Sequence, residues 1–198
     1  MVDAAKVRSA LARWCDALEA AAPELNRLDG RLGDGDLGTT LQRCAVLVRE
    51  ALPAMPDALA PVFKACAAAS AKASGSSFGT LLAVAFLTAA KRVQGRDTLE
   101  RAALVELLDD IVGALSARGG AALGDKTMLD SLHAVARALA ESNDGADLRA
   151  VAREAASGAL DAMRSQPNRI GRARMFAEKS VGADDPGMVA VLRMTEAL

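Results

Sequence analysis

The sequence predicts an all-α fold, an antiparallel up-and-down bundle of eight helices, on three observations. The first is composition: of 198 residues, 45 are Ala and 26 Leu, against 14 Val and 2 Ile. Ala and Leu lose little on entering a helix, whereas β-branched residues favour strands. The second is periodicity, seen first at Val7, Leu11, Trp14, Leu18 and Leu25, which mark one face at helical spacing. The third is punctuation: Gly, Pro and Asp break the chain at short intervals, and short connections make successive helices antiparallel.

The elements follow in order. Helix one is expected from Asp3 to Ala22, ahead of Pro23. Helix two opens at Gly38 and ends near Leu52, before Pro53. A third lies at Asp57 to Ala73. The fourth runs from Ser77 to Val93 and closes at Gly95. The fifth starts with the capping pair Asp97 and Glu100, exposes the face Leu104, Leu107, Leu108, Ile111 and Leu115, and stops at Gly119-Gly120. Helix six covers Thr127 to Glu141, helix seven Asp147 to Ser165, and helix eight Gly187 to the C-terminus. The length suits a single domain, residues 1–198.

Composition also excludes function classes. The chain carries 24 basic and 25 acidic residues, for a net charge of −1, and has no basic run. No nucleic-acid or anionic-membrane partner is therefore expected. With no Tyr and one Trp, there is little to stack bases on. Cys15, Cys44 and Cys66 are odd in number and form no CxxC pair, so they read as small buried hydrophobes in a reducing compartment. The N-terminus MVDAAKVRSA has no apolar signal core. The longest apolar run, Leu81 to Ala90, is broken by Thr88 and is half the ~20 residues that a membrane span needs. A soluble, cytoplasmic protein is expected.

If the helices alternate, the loops 23–37, 73–76, 119–126 and 166–186 share one end of the bundle. They hold nearly all the unusual polar sequence: LDGRLGDGDLGTT, ASGSS, GGAALGDKT and PNRIGRARMFAEKSVGADDPG. Four helix N-termini would point into that pole, and their unpaired N–H groups and partial positive charge suit phosphate.

Asp29, Asp34 and Asp36 stand within eight residues, separated by Gly30, Gly33, Gly35 and Gly38. Glycine lets the backbone turn them toward one point. Together they offer hard oxygen ligands suited to Mg²⁺ or Ca²⁺; an exposed acidic turn is the alternative. An EF-hand is rejected, because Thr39 and Ala45 stand where that loop needs Gly and Glu. Gly38-Thr39-Thr40 and Ser74-Gly75-Ser76-Ser77 each open a helix and could cap it or touch phosphate. Gly124-Asp125-Lys126-Thr127 has the wrong spacing for a P-loop. Arg172, between Gly171 and Ala173, could hold phosphate oxygens. Asp185-Pro186-Gly187 is good turn chemistry that also allows close backbone approach. His133 is the only histidine and reads as structural or exposed, so triad-type hydrolysis is not expected.

Leu25-Asn26-x-Leu28-Asp29 followed by Gly33-Asp34-Gly35-Asp36-x-Gly38-Thr39-Thr40 resembles the L (nucleotide-binding) subunit or domain of dihydroxyacetone kinases. So do Gly124-Asp125-Lys126-Thr127-Met128-Leu129-Asp130-Ser131-Leu132, Gly171-Arg172-Ala173 and Asp185-Pro186-Gly187. The resemblance spans helix one to helix eight. It implies an antiparallel eight-helix barrel with the nucleotide site at one end over two Mg²⁺ ions. It implies that Asp29, Asp34 and Asp36 ligate the metals, and that Leu37, Gly38, Thr39, Thr40, Ala73 and Ser74 line the phosphates. Gly119, Thr127, Met128, Arg172, Asp185, Pro186 and Gly187 would surround the rest of the ATP or ADP.

In that family a separate K-type subunit holds the ketone covalently on a histidine, so this chain is expected to work only with such a partner. The implied function is transfer of the ATP γ-phosphoryl group to dihydroxyacetone or a related small ketose, erythrulose included, in glycerol metabolism. Phosphoryl transfer asks a protein mainly for positioning and charge neutralisation, so Asp29, Asp34, Asp36 and Arg172 are the expected catalytic group. An alternative type keeps ADP bound and receives phosphoryl groups from a sugar-phosphotransferase-system protein. GDGDxGTT and GDKTMLDSL look closer to the ATP type, and the stand-alone length looks closer to the other. A non-catalytic nucleotide-binding regulatory module is a further alternative, and homo-oligomers are open. The chain departs from the family pattern at Ala71-Lys72, where Gly-Gly is usual, at Leu37, often His or Cys, and at Arg174-Met175-Phe176, usually Ser-Tyr-Leu.

Overall fold

The computed structural model describes residues 1–73 and 77–198. Helices dominate it, in the expected order. The long ones are α1 (Ala4–Asp29), α2 (Leu37–Ala51), α3 (Leu59–Ala73), α4 (Ser77–Arg92), α5 (Arg101–Gly119), α6 (Met128–Glu141) and α7 (Leu148–Met163). A four-residue α8 (Ala177–Ser180) precedes the last helix, α9 (Pro186–Glu196). Each long helix packs on the next, and α9 packs on both α7 and α1, so the eight long helices close into a ring. The all-α antiparallel architecture is as expected.

Three details differ from the sequence reading. Helix α1 does not stop at Ala22 but runs through Pro23 to Asp29. Proline removes one backbone hydrogen bond, yet buried Ala21, Ala22 and Leu25 keep this stretch packed against the core. Asp29 therefore sits on the last turn of a helix rather than in a loop. Asp97 and Glu100 do not form a capping pair: α5 begins at Arg101, and Glu100 at its N-cap makes no side-chain capping bond. Thr98-Leu99 instead pairs antiparallel with Val2-Asp3 in a two-residue bridge (β1, Val2–Asp3; β2, Thr98–Leu99). The long loop before α9 also holds a 3-10 turn at Arg172–Phe176 as well as α8.

The core lies inside the ring. Leu18, Leu25, Leu41, Val48, Leu59, Val62, Val93 and Met188 are all but fully buried, and Trp14 meets Phe86 edge to face at 5.9 Å. The three cysteines are free and buried. Burial pushes the Cys15 thiol up to about 11 and the Cys66 thiol up to about 12, so they act as apolar packing. Among the described residues, no helix is long and apolar enough to cross a membrane.

Candidate metal and nucleotide site

The start of α2 is built by two side chains of α1. Asn26 accepts from the Thr39 backbone N–H through Oδ1 (3.0 Å) and donates from Nδ2 to the Thr39 hydroxyl (3.0 Å). Asp29 Oδ2 accepts from the backbone N–H groups of Asp36 (3.0 Å) and Leu37 (3.3 Å). Helix N-termini leave such donors unpaired; here the neighbouring helix satisfies them, and Asp36 itself makes no side-chain cap bond. The arrangement needs the backbones of α1 and α2 to touch. A Cβ on Gly38 would stand 2.0 Å from the Ala22 carbonyl oxygen, and one on Gly33 would stand 2.4 Å from Asp29 Oδ1. Gly38 is therefore glycine for close backbone approach, and Gly33, in the turn before α2, leaves room for the Asp29 carboxylate.

This clasp brings Asp29, Asp34 and Asp36 together, each offering one carboxylate oxygen within 4.8 Å of the others. Opposite oxygens on one Mg²⁺ stand about 4.2 Å apart, and on Ca²⁺ about 5 Å. The spread thus suits a hard divalent cation, or two sharing the group. Asp29 is half-buried, whereas Asp34 and Asp36 face solvent, where a ligand could approach.

Arg172 reaches the same point from the other side of the sequence. Its Nη1 pairs with Asp34 Oδ2. The loop bearing Arg172 is thus seated beside the acidic turn, as the alternating-helix argument expects. Other predicted residues meet one another at the starts of helices. Gly187 lies against the Phe78 ring of α4, 3.4 Å from the Cβ it lacks, and against Met128 at the start of α6 (3.8 Å). The starts of α4, α6 and α9 therefore meet. Thr127 caps α6 in a capping box with Asp130, and Asp185 caps α9 by accepting from the Met188 N–H (2.9 Å). Pro186 is the first residue of α9. Leu37, Gly38, Thr40 and Ala73 are buried and Thr39 is exposed. Gly119 ends α5, near the Leu81 side chain. Ser74 lies outside the described residues.

Sequence reasoning missed Asn26 as a site builder, along with Lys126 and Asn168. Lys126 is 1% exposed, and Asn168 bridges the Lys126 carbonyl (2.9 Å) to Asp185 Oδ2 (2.7 Å). Burial raises the Asp185 carboxyl to about 6, against the opposing pull of its hydrogen bonds and of the Lys126 ammonium. His133 is half-buried on α6, away from any of these contacts.

Comparison with known proteins supplies the family. The model of the DAK2 domain matches residues 31–198. The chain is 32% identical over 193 residues to the ADP-binding subunit DhaL of PEP-dependent dihydroxyacetone kinase from Escherichia coli (strain K12), covering 95% of this chain and 92% of that one. It is also 32% identical to triokinase/FMN cyclase of Homo sapiens, covering 95% of this chain but 33% of that protein. Among solved structures, it resembles the dihydroxyacetone kinase of C. freundii in complex with AMP-PNP and Mg²⁺, with a TM-score of 0.78, 26% identity, and coverage of 98% of this chain and 33% of that one. The chain thus spans nearly the whole of the DhaL relative and about a third of the other two. It belongs to the DAK2 domain family, the family that includes the ADP-binding subunit of dihydroxyacetone kinase.

Proposed function

We propose that residues 1–198 form one nucleotide-binding unit of a dihydroxyacetone-type kinase, a phosphotransferase that acts with a separate K-type subunit holding the ketose. The observation that carries this reading is the meeting of Asp29, Asp34, Asp36 and Arg172 at one pole. In the proposed complex Asp29, Asp34 and Asp36 hold two Mg²⁺ ions. Leu37, Gly38, Thr39, Thr40, Ala73 and Ser74 run beside the phosphates, and Gly119, Thr127, Met128, Asp185, Pro186 and Gly187 surround the rest of the nucleotide. Bound Mg²⁺ supplies charge neutralisation for the polyphosphate.

The charge balance favours this division of labour. A nucleoside triphosphate brings about four negative charges and the aspartates three, against four from two Mg²⁺ ions. The remainder would fall to helix N-termini and to Arg172, whose guanidinium, seated beside the acidic turn, would hold phosphate oxygens. The C. freundii relative crystallised with AMP-PNP and Mg²⁺ supports that ligand class. An ATP donor is our principal reading. A second reading, bound ADP recharged by a phosphotransferase-system protein, is favoured by the near full-length match to a PEP-dependent, ADP-binding subunit.

Calorimetry tests the site. Wild-type protein should bind ADP or ATP only with Mg²⁺, and Asp34→Ala should weaken that binding at least a hundredfold. Unchanged affinity in the variant would reject the metal assignment. Mixing with a K-type subunit and dihydroxyacetone then separates donors: sugar phosphate formed from ATP supports the first reading. Turnover that demands a phosphoenolpyruvate-fed donor supports the second.

A further inference from the structure

The loop between α7 and α9 carries Arg172, yet little of its own structure explains its shape. Its regular pieces are a five-residue 3-10 turn and the four-residue α8, and Arg172, Arg174, Met175 and Phe176 are exposed. What is buried beneath it is an ammonium group. Lys126 Nζ donates to the backbone carbonyls of Ser180 (2.7 Å), Gln166 (2.8 Å) and Arg164 (3.3 Å). All three of its protons go to this one loop, on both sides of Arg172. A lysine offers three donors and no acceptor, and a buried charge survives only when such partners are supplied.

The anchor is doubled by its neighbours. Asn168 donates to the Lys126 carbonyl, and its own backbone N–H donates to the Ser180 hydroxyl (2.8 Å). The Arg169 N–H donates to the Asp125 carbonyl (3.2 Å). Independently, Lys126 has φ of +61°, the one non-glycine residue with positive φ among those described. A lysine gains nothing from that conformation where a glycine would serve. A long cationic side chain held there against backbone preference marks a position where the side chain is required.

From this juxtaposition we infer that Lys126 is a positioning residue: it ties the start of α6 to the Arg172 loop and so holds Arg172 at Asp34. The inference deepens the nucleotide-binding reading and rests on it for its functional consequence. The tie itself is testable without any ligand. In Lys126→Met, hydrogen exchange of the amides between 166 and 182 should rise at least tenfold while α1 to α4 keep their protection. Unchanged exchange there overturns the proposal.

Calorimetry with Mg²⁺ and ADP reads the consequence. K126M should weaken binding about tenfold. Arg172→Ala should cost about as much in wild type and less than twofold in the K126M background, since the guanidinium has already lost its place. A full Arg172→Ala penalty in both backgrounds overturns the positioning role, and lowered stability alone would not produce the coupling. Should K126M fail to fold, Asn168→Ala loosens the same loop while leaving the Lys126 ammonium its three carbonyls and must show the same pattern in smaller measure. If wild type binds no nucleotide, the nucleotide reading fails while the exchange experiment still decides the tie.

Discussion

At Asp185, burial and hydrogen bonding pull in opposite directions. Its carboxylate accepts from the Met188 N–H and from Asn168 Nδ2, and the Lys126 ammonium stands near. Asp184 beside it is engaged by Arg164 (2.8 Å). Burial still prevails and lifts the carboxyl from 3.8 to about 6. An acid raised in the folded state stabilises when protonated. Its contribution is complete below 3.8 and is lost as pH rises through about 6. The ionised side chain at neutral pH is thus kept at a cost, as expected of a residue retained for its cap on α9. Thermal melts of the ligand-free protein should show this against Asp185→Asn. The melting temperature of wild type relative to the variant should climb as pH falls from about 7 to about 4. A constant difference across that window would show that the carboxyl titrates normally.

The pairing of α1 with α2 is the element that builds the proposed metal site, and Gly38 is its narrowest point. In Gly38→Ala the new methyl would meet the Ala22 carbonyl oxygen at 2.0 Å, and a helix backbone has no rotamer with which to yield. Overpacking of this kind costs about 3 kcal/mol, and separating the helices breaks the Asn26 and Asp29 bonds to the start of α2. Urea unfolding should register the loss, and calorimetry should find Mg²⁺–nucleotide binding abolished in protein that still folds. Wild-type binding in that variant would show that the clasp is irrelevant to the site. This element also marks what the sequence could tell. Periodicity placed the helices, and three aspartates among glycines announced the carboxylate cluster that the structure brings together, because both signals are local. Pro23 hid the last turn of α1, since a proline ordinarily ends a helix and only the packing of Ala21, Ala22 and Leu25 overrides it. Asn26 was consequently read as part of a loop motif rather than as the cap of another helix. Lys126 and Asn168 were illegible for a different reason. The Lys126 partners are backbone carbonyls 38 to 54 residues away, and no spacing encodes those.

For the whole molecule, the critical step is closing the ring, because α1 and α9 are the two ends of the chain's helical order. Apolar contact alone permits helices to slide, and at three seams an arginine pair fixes the register. Arg49 of α2 pairs with Asp16 (2.8 Å) and Glu19 (2.7 Å) of α1, and Arg92 of α4 pairs with Glu106 and Asp110 of α5. The closing seam has Arg193 of α9, which donates through Nε and Nη2 to both carboxylate oxygens of Glu24 on α1 (2.9 and 3.0 Å). Arg13 Nε adds a bond to the Ala197 carbonyl (2.9 Å). Most surface ion pairs contribute little, but a two-pronged arginine–carboxylate pair is the favourable geometry. The guanidinium holds the Glu24 carboxyl below its ordinary 4.5. Its stabilisation is therefore complete above 4.5 and fades as pH falls through the lowered value. Glu24→Gln should cost about 1 kcal/mol near neutral pH, lowering the melting temperature by about 2–4 °C for a chain of this size. The difference should shrink in about 1 M salt, where charges are screened beyond about 3 Å, and shrink again in acid. Glu24 lies little more than one helical turn before Asp29 on α1, but the bonds that build the acidic turn come from Asn26 and Asp29, so nucleotide affinity should stay within twofold of wild type. A large loss of affinity in Glu24→Gln would mean that ring closure and the site are coupled, and that the seam does more than hold the barrel shut.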